Sequence, residues 1–464
     1  MSLIEKYIKG IRFLLPTPFS IALLLTLFTI ILALIWPSQN LSENQNWLDK
    51  FTNILNSWNN GLWNVKGLAF AVQMMLMLLL GHVLALSRPV NAAINQLIPF
   101  CSNNARSALI ITFFTLIVSW FNWGLGLVFG AVFCKKIMEY AAKSSFGLNH
   151  GLIGACGYSG LMIWHGGISG SSLVKISERG HLTDLAPESV KSNVPELIDF
   201  SNTVFSNMNI VVTCSLLVAL PITMYILGKK TKVFVPNVKS TTEKDIQKNN
   251  LIGLEKLDHS KFIGLFVGFF ILLFCVYLAI SHPYKSSFQF INPNYLNLTL
   301  LGLALVFHGK IFTFLKAIEK SIGGTAGILI QFPLYFGIMG IISETGIISD
   351  LAAYFKTIST NYTYPIFTFI SAGMVNFFVP SGGGQWYIQG PLIIQSAVEM
   401  GIPLNKSIMA MAYGDQLTNM LQPFWALPLL AITKLKAKEI LPYTLIIMLV
   451  GLLVFISSLI IFKF

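Results

Sequence analysis

Charge is what this chain has least of. Only 11% of its 464 residues are Asp, Glu, Lys or Arg, less than half of the roughly 25% typical of soluble domains. Acidic residues are the scarcer sign, 19 against 31 basic. A soluble fold of this size needs a charged shell, and these residues do not supply one. Paired cysteines are missing as well. Cys101, Cys134, Cys156, Cys214 and Cys275 form no CxxC and lie in or beside apolar stretches, which excludes a disulfide framework or thiolate metal site and leaves small packing residues. There is no HExxH, GxSxG or GxxxxGK[ST], so the common metalloprotease, esterase and NTP-binding signatures are absent.

What is abundant is apolar length: 54% apolar side chains and a mean hydropathy of +0.69. A helix needs about 20 mostly apolar residues to cross the hydrocarbon core. By that rule nine crossings are predicted, at 19–36, 66–86, 151–174, 204–227, 262–281, 295–315, 322–343, 405–432 and 441–462. Two further apolar stretches, 105–140 and 362–400, are too long for one helix and too short for two crossings with a loop. Each is interrupted near its middle by polar and glycine residues, and both are predicted to be re-entrant hairpins.

The basic residues test this scheme. With a cytoplasmic N-terminus and a periplasmic C-terminus, 22 of the 31 Lys and Arg fall inside, as the positive-inside rule requires. Arg106, Lys135 and Lys136 flank the first hairpin, placing it on the cytoplasmic side; the second has only Glu399 and faces outward. The net charge of +12 is therefore topological, and no nucleic-acid partner is needed to explain it. The run 19–36 is too long for a signal-peptide core and ends at Trp36-Pro37 without a small-residue cleavage site, so a retained first helix is predicted. The stretch 228–261, with eight Lys against Glu243, Asp245, Glu255 and Asp258, is expected to be a flexible cytoplasmic linker.

The hairpins also point to a duplication. The first interruption, SWFNWGLGLVFGA (119–131), contains Asn122; the second, NFFVPSGGGQW (376–386), contains Asn376. Tyr158 follows the first asparagine by 36 residues and Tyr413 follows the second by 37, each in a run broken by polar and small residues. Two crossings, a short amphipathic segment, a hairpin, a broken helix and a further crossing recur in that order. One linking helix, 262–281, reverses the orientation of the second set. The predicted fold is an all-α polytopic membrane protein built as an inverted-topology repeat, with two re-entrant hairpins and two broken helices. Its first repeat is 1–227, its linker and connecting helix 228–294, and its second repeat 295–464. Broken helices meeting near the midplane are where secondary transporters bind substrate.

Around the breaks, Pro380 stops one arm, Ser381 caps the next, and Gly382, Gly383 and Gly384 allow a ligand to approach bare backbone at a helix N-terminus, where anions bind. A glycine-rich turn is the plainer alternative. Asp415 is the one carboxylate deep in an apolar helix, a position costing roughly 2.5–3.5 kcal/mol. It is expected to take a coupling proton or cation, or else to hydrogen-bond exposed backbone. His165 stands at the matching break of the first half, either to pair with the substrate anion or with Asp415 or to hold structure. Asn122, Asn376, Thr418, Asn419 and Gln422 offer neutral oxygens and amides. Trp120, Phe121, Trp123, Phe377, Phe378, Trp386, Phe424 and Trp425 crowd the same places, mostly as packing, with a few walling a small apolar pocket. Gly126 and Gly130 form a close-packing step, and His82 and His308 are expected at the interface. The candidate substrate set is Asn122, Trp123, Gly124, His165, Gly166, Asn376, Ser381, Gly382, Gly383, Gly384, Gln385, Thr418 and Asn419. The candidate coupling-ion set is Asp415, Asn122 and Asn376. No metal and no cofactor beyond a coupling H+ or Na+ is expected.

NFFVPSGGGQW…QGP (376–391) and AYGDQLTNMLQPFWALPLL (412–430), with LLLGHVLA (78–85), NWGLGLVFGA (122–131), GGISGS (166–171) and TAGILIQFPLYFGI (325–338), closely resemble the bacterial short-chain fatty acid transporter family. The resemblance spans essentially the whole chain. It implies uptake of short-chain monocarboxylates such as acetoacetate and butyrate through an inner-membrane protein of the wider ion transporter superfamily. It also implies scaffold and transport domains, a dimer and an elevator motion. Ser381, Gly382, Gly383, Gly384 and Gln385 carry over onto the hairpin motif, and Asp415 onto the acidic position of the broken helix. Three rivals remain open in the sequence. A carrier for a dicarboxylate or amino acid would need a second cationic residue near the tips, and none is legible there. A channel would not accumulate substrate. An intramembrane enzyme would use Ser169 or Ser381 with His165.

Overall fold

The computed structural model describes residues 18–36, 46–144, 146–234, 255–283, 290–345, 357–379 and 381–462, with 285, 288, 347 and 354 as single positions. Among these the fold is all-α, with one isolated bridge between Leu148 and Phe234. The first half runs α1 Pro18–Ile35, α2 Trp47–Leu62, α3 Val65–Ala85, α4 Arg88–Leu97, α5 Asn104–Phe121, α6 Trp123–Ser144, α7 His150–Tyr158, α8 Ser171–Ile176, α9 His181–Leu185 and α10 Asn207–Lys230. The second runs α11 Glu255–His259, α12 Lys261–Ser281, α13 Pro293–His308, α14 Ile311–Ser321, α15 Ala326–Glu344, α16 Tyr364–Phe378, α17 Gly382–Met400, α18 Leu404–Thr418, α19 Pro423–Thr433 and α20 Ala437–Ile461.

Polar residues just before the apolar runs start these helices, each side-chain oxygen satisfying a backbone N–H left free by the first turn. Asn64 caps α3, Asn103 α5, Asn149 α7, Ser206 α10 and Asn292 α13. Six segments among the described residues are long and apolar enough to cross a membrane: 65–85, 104–121, 207–230, 261–281, 311–344 and 437–461. The two halves interlock. Helix α3 packs on α13, α6 on α19, and α7 and α10 on α20.

Several boundaries differ from expectation, each for a local reason. The crossing predicted at 295–315 stops at His308, because Gly309 takes a positive φ of 69°, open to glycine, that the helix cannot continue through. Helix α2 was not expected; Trp47, Phe51, Ile54, Leu55, Trp58 and Leu62 recur at helical spacing but never form a long apolar run. With α14, it adds an amphipathic helix before the second crossing of each half, and the amphipathic segment expected after the second crossing of the first half is α4. The first interrupted pair, α5 and α6, has 18 and 22 residues, about 27 and 33 Å at 1.5 Å per residue. Against a core of about 30 Å, the first arm falls just short and the second just exceeds it. Asn122 is itself the break between them, whereas Asn376 lies inside α16, three residues before the break at 379–381. Equal sequence spacing does not make the two asparagines structural equivalents.

The start of the expected linker is held. Phe234 exchanges backbone hydrogen bonds with Leu148, Asn104 donates to Gly228 O, and Asn149 donates to Lys232 O. Residues 235–254 lie outside those described, as does Pro380.

Close packing on α6 explains its glycines. A methyl group on Gly126 would come 2.0 Å from Ser119 Oγ on the adjoining arm, and one on Gly130 would come 2.1 Å from the Gly157 carbonyl on α7. Backbone at that distance cannot move aside cheaply. Gly130→Ala is expected to cost about 1–3 kcal/mol through overpacking, read as a clear fall in the thermal midpoint of purified protein. An unchanged midpoint would mean that α6 and α7 separate easily.

Candidate functional site

Both broken helices open in the interior and lie against one another. In the first half, α7 ends at Tyr158, two 3-10 turns follow at Ser159–Met162 and Trp164–Gly166, and α8 begins at Ser171. In the second, α18 ends at Thr418, Asn419–Leu421 form a 3-10 turn, and α19 begins at Pro423. Each break frees backbone groups that lipid cannot satisfy, and each is satisfied by side chains of the other half. Tyr158 donates its hydroxyl to the Asn419 and Gln422 carbonyls at 2.8 and 3.0 Å. Gln416 Oε1 accepts from the N–H groups of His165 and Gly166 at 3.0 and 3.3 Å. Tyr413 donates to Asn209 Oδ1, and Asn209 in turn donates to the Gly166 carbonyl at 2.8 Å.

At the centre His165 Nδ1 meets Asp415 Oδ2 at 2.5 Å, with both side chains almost fully buried. The far ring nitrogen sits 2.7 Å from Ser172 Oγ and accepts the Ser172 backbone N–H at 3.3 Å. An Nε2 that accepts places the ring proton on Nδ1, so Nδ1–H donates to the Asp415 carboxylate. Three residues from both halves thus form one row, Asp415–His165–Ser172. The second oxygen, Asp415 Oδ1, has no hydrogen-bond partner.

Beside this row the Asn376 amide donates to the Asp415 carbonyl, Thr418 Oγ1 and Asn419 Oδ1 at 2.7, 2.9 and 3.0 Å, while Gln422 donates to the Asn376 carbonyl. Asn376 Oδ1 and Gln422 Oε1 are buried acceptors without donors. Ser381 caps α17 by accepting from Gly384 N–H. The three glycines carry ring contacts on their bare faces. A methyl group on Gly382 would meet His165 Cε1 at 2.7 Å and Trp164 Cη2 at 2.8 Å, one on Gly383 would meet Phe70, and one on Gly384 would meet Tyr335.

Between the breaks lies a cavity of about 20 Å³ lined by Met74, Trp123, Leu161, Trp164, Ser171, Ile328, Phe332, Ser381, Gly382, Asn419 and Trp425. Its tryptophans are mutually packed, Trp123 lying 5.7 Å from Trp164 and 5.4 Å from Trp425 between ring centroids. Trp164 also stacks on His165 at 4.5 Å.

Other candidates stand apart from the cavity lining. Asn122 Oδ1 caps Leu125 N–H and lies against Gly81, while Gly124 packs on Leu78. Gln385 ties α17 to α16 through the Ala372 carbonyl. Trp386 donates to His181 Nε2 at 2.9 Å, Trp120 packs on Phe205, and His308 donates to the Val83 carbonyl. The side chains of Phe377, Phe378 and Phe424 lie outside those described.

Sequence reasoning missed Gln416, Asn209, Ser172 and Trp164. It also missed a cation. Lys175 of α8 is 5% exposed, pairs with Glu178 at 2.5 Å and lies 5.5 Å from the centroid of Phe70, the ring that covers Gly383. Its charge is met locally, so the cluster is neutral.

The fold is shared with solved transporters. The YdaH transporter of Alcanivorax borkumensis superposes with a TM-score of 0.60 at 15% identity, covering 95% of this chain and 98% of that one. MtrF of Neisseria gonorrhoeae, described with a class of antimetabolite efflux pumps, superposes with a TM-score of 0.55 at 13% identity over 97% and 95%. Two curated relatives, each named "Putative short-chain fatty acid transporter", are much nearer in sequence. That of Escherichia coli K12 is 35% identical over 456 residues, 97% of this chain and 96% of its own length. That of Haemophilus influenzae is 34% identical over 435 residues, 92% of each. Relatives of this kind leave no place for a hydrolase reading of the Asp415–His165–Ser172 row, although its order is that of a nucleophilic triad. Residues 3–462 match the family described as short chain fatty acid transporter, and the chain belongs to that family: it is a multi-pass membrane transporter, not an enzyme.

Proposed function

We propose that the protein takes up short-chain monocarboxylates such as acetoacetate or butyrate in symport with a cation bound at the Asp415–His165 pair. The observation that carries this reading is the pair itself, a carboxylate and an imidazole from opposite halves in contact at 2.5 Å beside the cavity between the breaks. With Nε2 accepting, the pair holds one negative charge. A second ring proton turns Nε2 into a donor, and the Ser172 hydroxyl, which both donates and accepts, turns with it. A proton is thus gained or lost within the row, at the expense of the Ser172 backbone N–H bond to Nε2, and its arrival neutralises the pair. Sodium is the second reading, favoured by the donorless oxygens Asp415 Oδ1, Asn376 Oδ1 and Gln422 Oε1.

The two halves form an inverted repeat in which α5–α6, α16–α17 and the broken helices move together against the remaining helices. The crossed tyrosines, Tyr158 to the second break and Tyr413 through Asn209 to the first, support motion of the breaks as one body. The test is uptake of labelled acetoacetate into proteoliposomes under an imposed pH gradient and, separately, a sodium gradient. The proton reading expects accumulation driven by the pH gradient alone. Accumulation driven by sodium alone would transfer coupling to the oxygen cluster, and no uptake of any short-chain acid would sink the substrate assignment.

A further inference from the structure

Hydrogen-bond accounting around the cavity isolates two groups. Ser381 Oγ accepts from Gly384 N–H and Asn419 Oδ1 accepts from Asn376, so these polar atoms already have partners. The indole N–H groups of Trp123 and Trp164 have none. Both residues line the cavity, and both are more than nine-tenths buried, with 4% and 5% exposed. An indole nitrogen is a donor only, so an acceptor is the one kind of partner that can satisfy it, and a buried donor left unmatched is destabilising. The two donors belong to rings 5.7 Å apart that both line one small space, whose apolar walls are Met74, Leu161, Ile328 and Phe332.

We infer that the Trp123 and Trp164 indole N–H groups hold the carboxylate of the substrate, with its hydrocarbon end turned toward Leu161, Ile328 and Phe332. The inference rests on the transport reading above and specifies its site. A carboxylate offers two oxygens with about four acceptor positions, enough for both indoles and for the Gly382 and Gly383 N–H groups that open α17, which lack helical partners. Neutral donors suit a monoanion whose charge is balanced by a proton on the neighbouring row. They also explain a selectivity. A second carboxylate on the substrate would lie against the apolar wall without a donor, and burying it there is prohibitive, so dicarboxylates are rejected. The cavity as it stands admits little more than a water, so even a four-carbon acid enters only when Met74 or Phe332 rotates away. Trp164 links the two sites, because its other contact is the face of His165 at 4.5 Å. A cation over an indole face is favoured, and an anion on the indole N–H strengthens that attraction, so acid binding and imidazole protonation support each other.

The test uses full-length protein in proteoliposomes. Trp123→Phe and Trp164→Phe keep an aromatic ring and delete the donor. Each is expected to raise KM for acetoacetate about 10- to 100-fold, the loss of one hydrogen bond to a charged group. Trp120→Phe is the control, since its indole N–H is also unmatched but packs on Phe205 away from the cavity, and its KM is expected to stay within twofold. A second measurement needs no variant. In protein carrying 15N-labelled tryptophan, two of the nine indole N–H signals are expected to move downfield on adding acetoacetate and to stay put on adding butyramide. Unchanged KM in both cavity variants, or no indole signal responding to saturating acid, overturns the inference while transport stands. A wild-type protein that carries no short-chain acid overturns the transport reading and this one with it.

Discussion

Asp415→Asn is expected to abolish accumulation of acetoacetate against its gradient while leaving the protein folded. The amide has the shape of the carboxylate, and its oxygen still accepts from His165 Nδ1–H, so the row keeps its geometry. What it loses is the negative charge that an arriving proton would neutralise. On the proton reading proposed above, one proton per acid is electroneutral, and each imposed pH unit is worth about 1.4 kcal/mol, a factor of about ten in accumulation. Two units should therefore give up to about 100-fold accumulation in the wild type. The variant should give none, with the inside concentration no higher than the outside. If it still exchanges labelled for unlabelled acid across a vesicle at equal pH, the site is intact and only coupling is gone. If Asp415→Asn accumulates acid like the wild type, Asp415 is a structural carboxylate.

Ser172→Ala separates the parts of the row. It keeps the backbone N–H on Nε2 but removes the hydroxyl that turns to accept when Nε2 is protonated. The neutral ring is little affected and the charged ring loses its partner, so pH-driven accumulation should fall, but less than in Asp415→Asn. Accumulation equal to that of the wild type would remove Ser172 from the coupling.

The sequence makes Asp415 visible because a carboxylate has no ordinary business in an apolar helix, and it makes the breaks visible because small and polar residues interrupt long apolar runs. Partners of those breaks were hidden for the opposite reason. Gln416, Asn209 and Ser172 are ordinary polar residues whose role arises only when 250 residues of chain bring two breaks together. Trp164 carries no signal in the sequence, since a tryptophan next to glycines announces nothing about where its N–H points. Helix α2 was legible by period, at Trp47, Phe51, Ile54 and Trp58, and was passed over by a search for long apolar runs. Lys175 was read as one more basic residue on the sparse outer side; only the fold reveals that α8 carries it inward, against α17 and the ring of Phe70.

That lysine gives the other large effect, on stability. Lys175 is 5% exposed, and its ammonium has Glu178 at 2.5 Å, Gln73 Oε1 at 3.5 Å and the Phe70 ring at 5.5 Å. The nearby imidazole of His181 offers no help. Burial, with the charges of Lys175 and Lys66, pushes it down to about 3, so it stays neutral and accepts the Trp386 N–H. Glu178→Gln therefore strands a buried cation. Breaking a buried pair costs about 3–5 kcal/mol, and about 3 kcal/mol is expected here, because the Glu178 side chain is 35% exposed and water reaches its side of the pair. The surface pair Arg179–Glu196, 59% and 61% exposed, gives the comparison, and Glu196→Gln should change stability by less than about 1 kcal/mol. The decisive measurement is the double variant Lys175→Met with Glu178→Gln. Methionine follows the path of the lysine stem without its charge, so the double variant should recover most of what the single one loses. Recovery means that the penalty was the unpaired ammonium. A double variant as unstable as Glu178→Gln alone would mean that Glu178 holds α8 through some other contact, and that Lys175 is no more than packing.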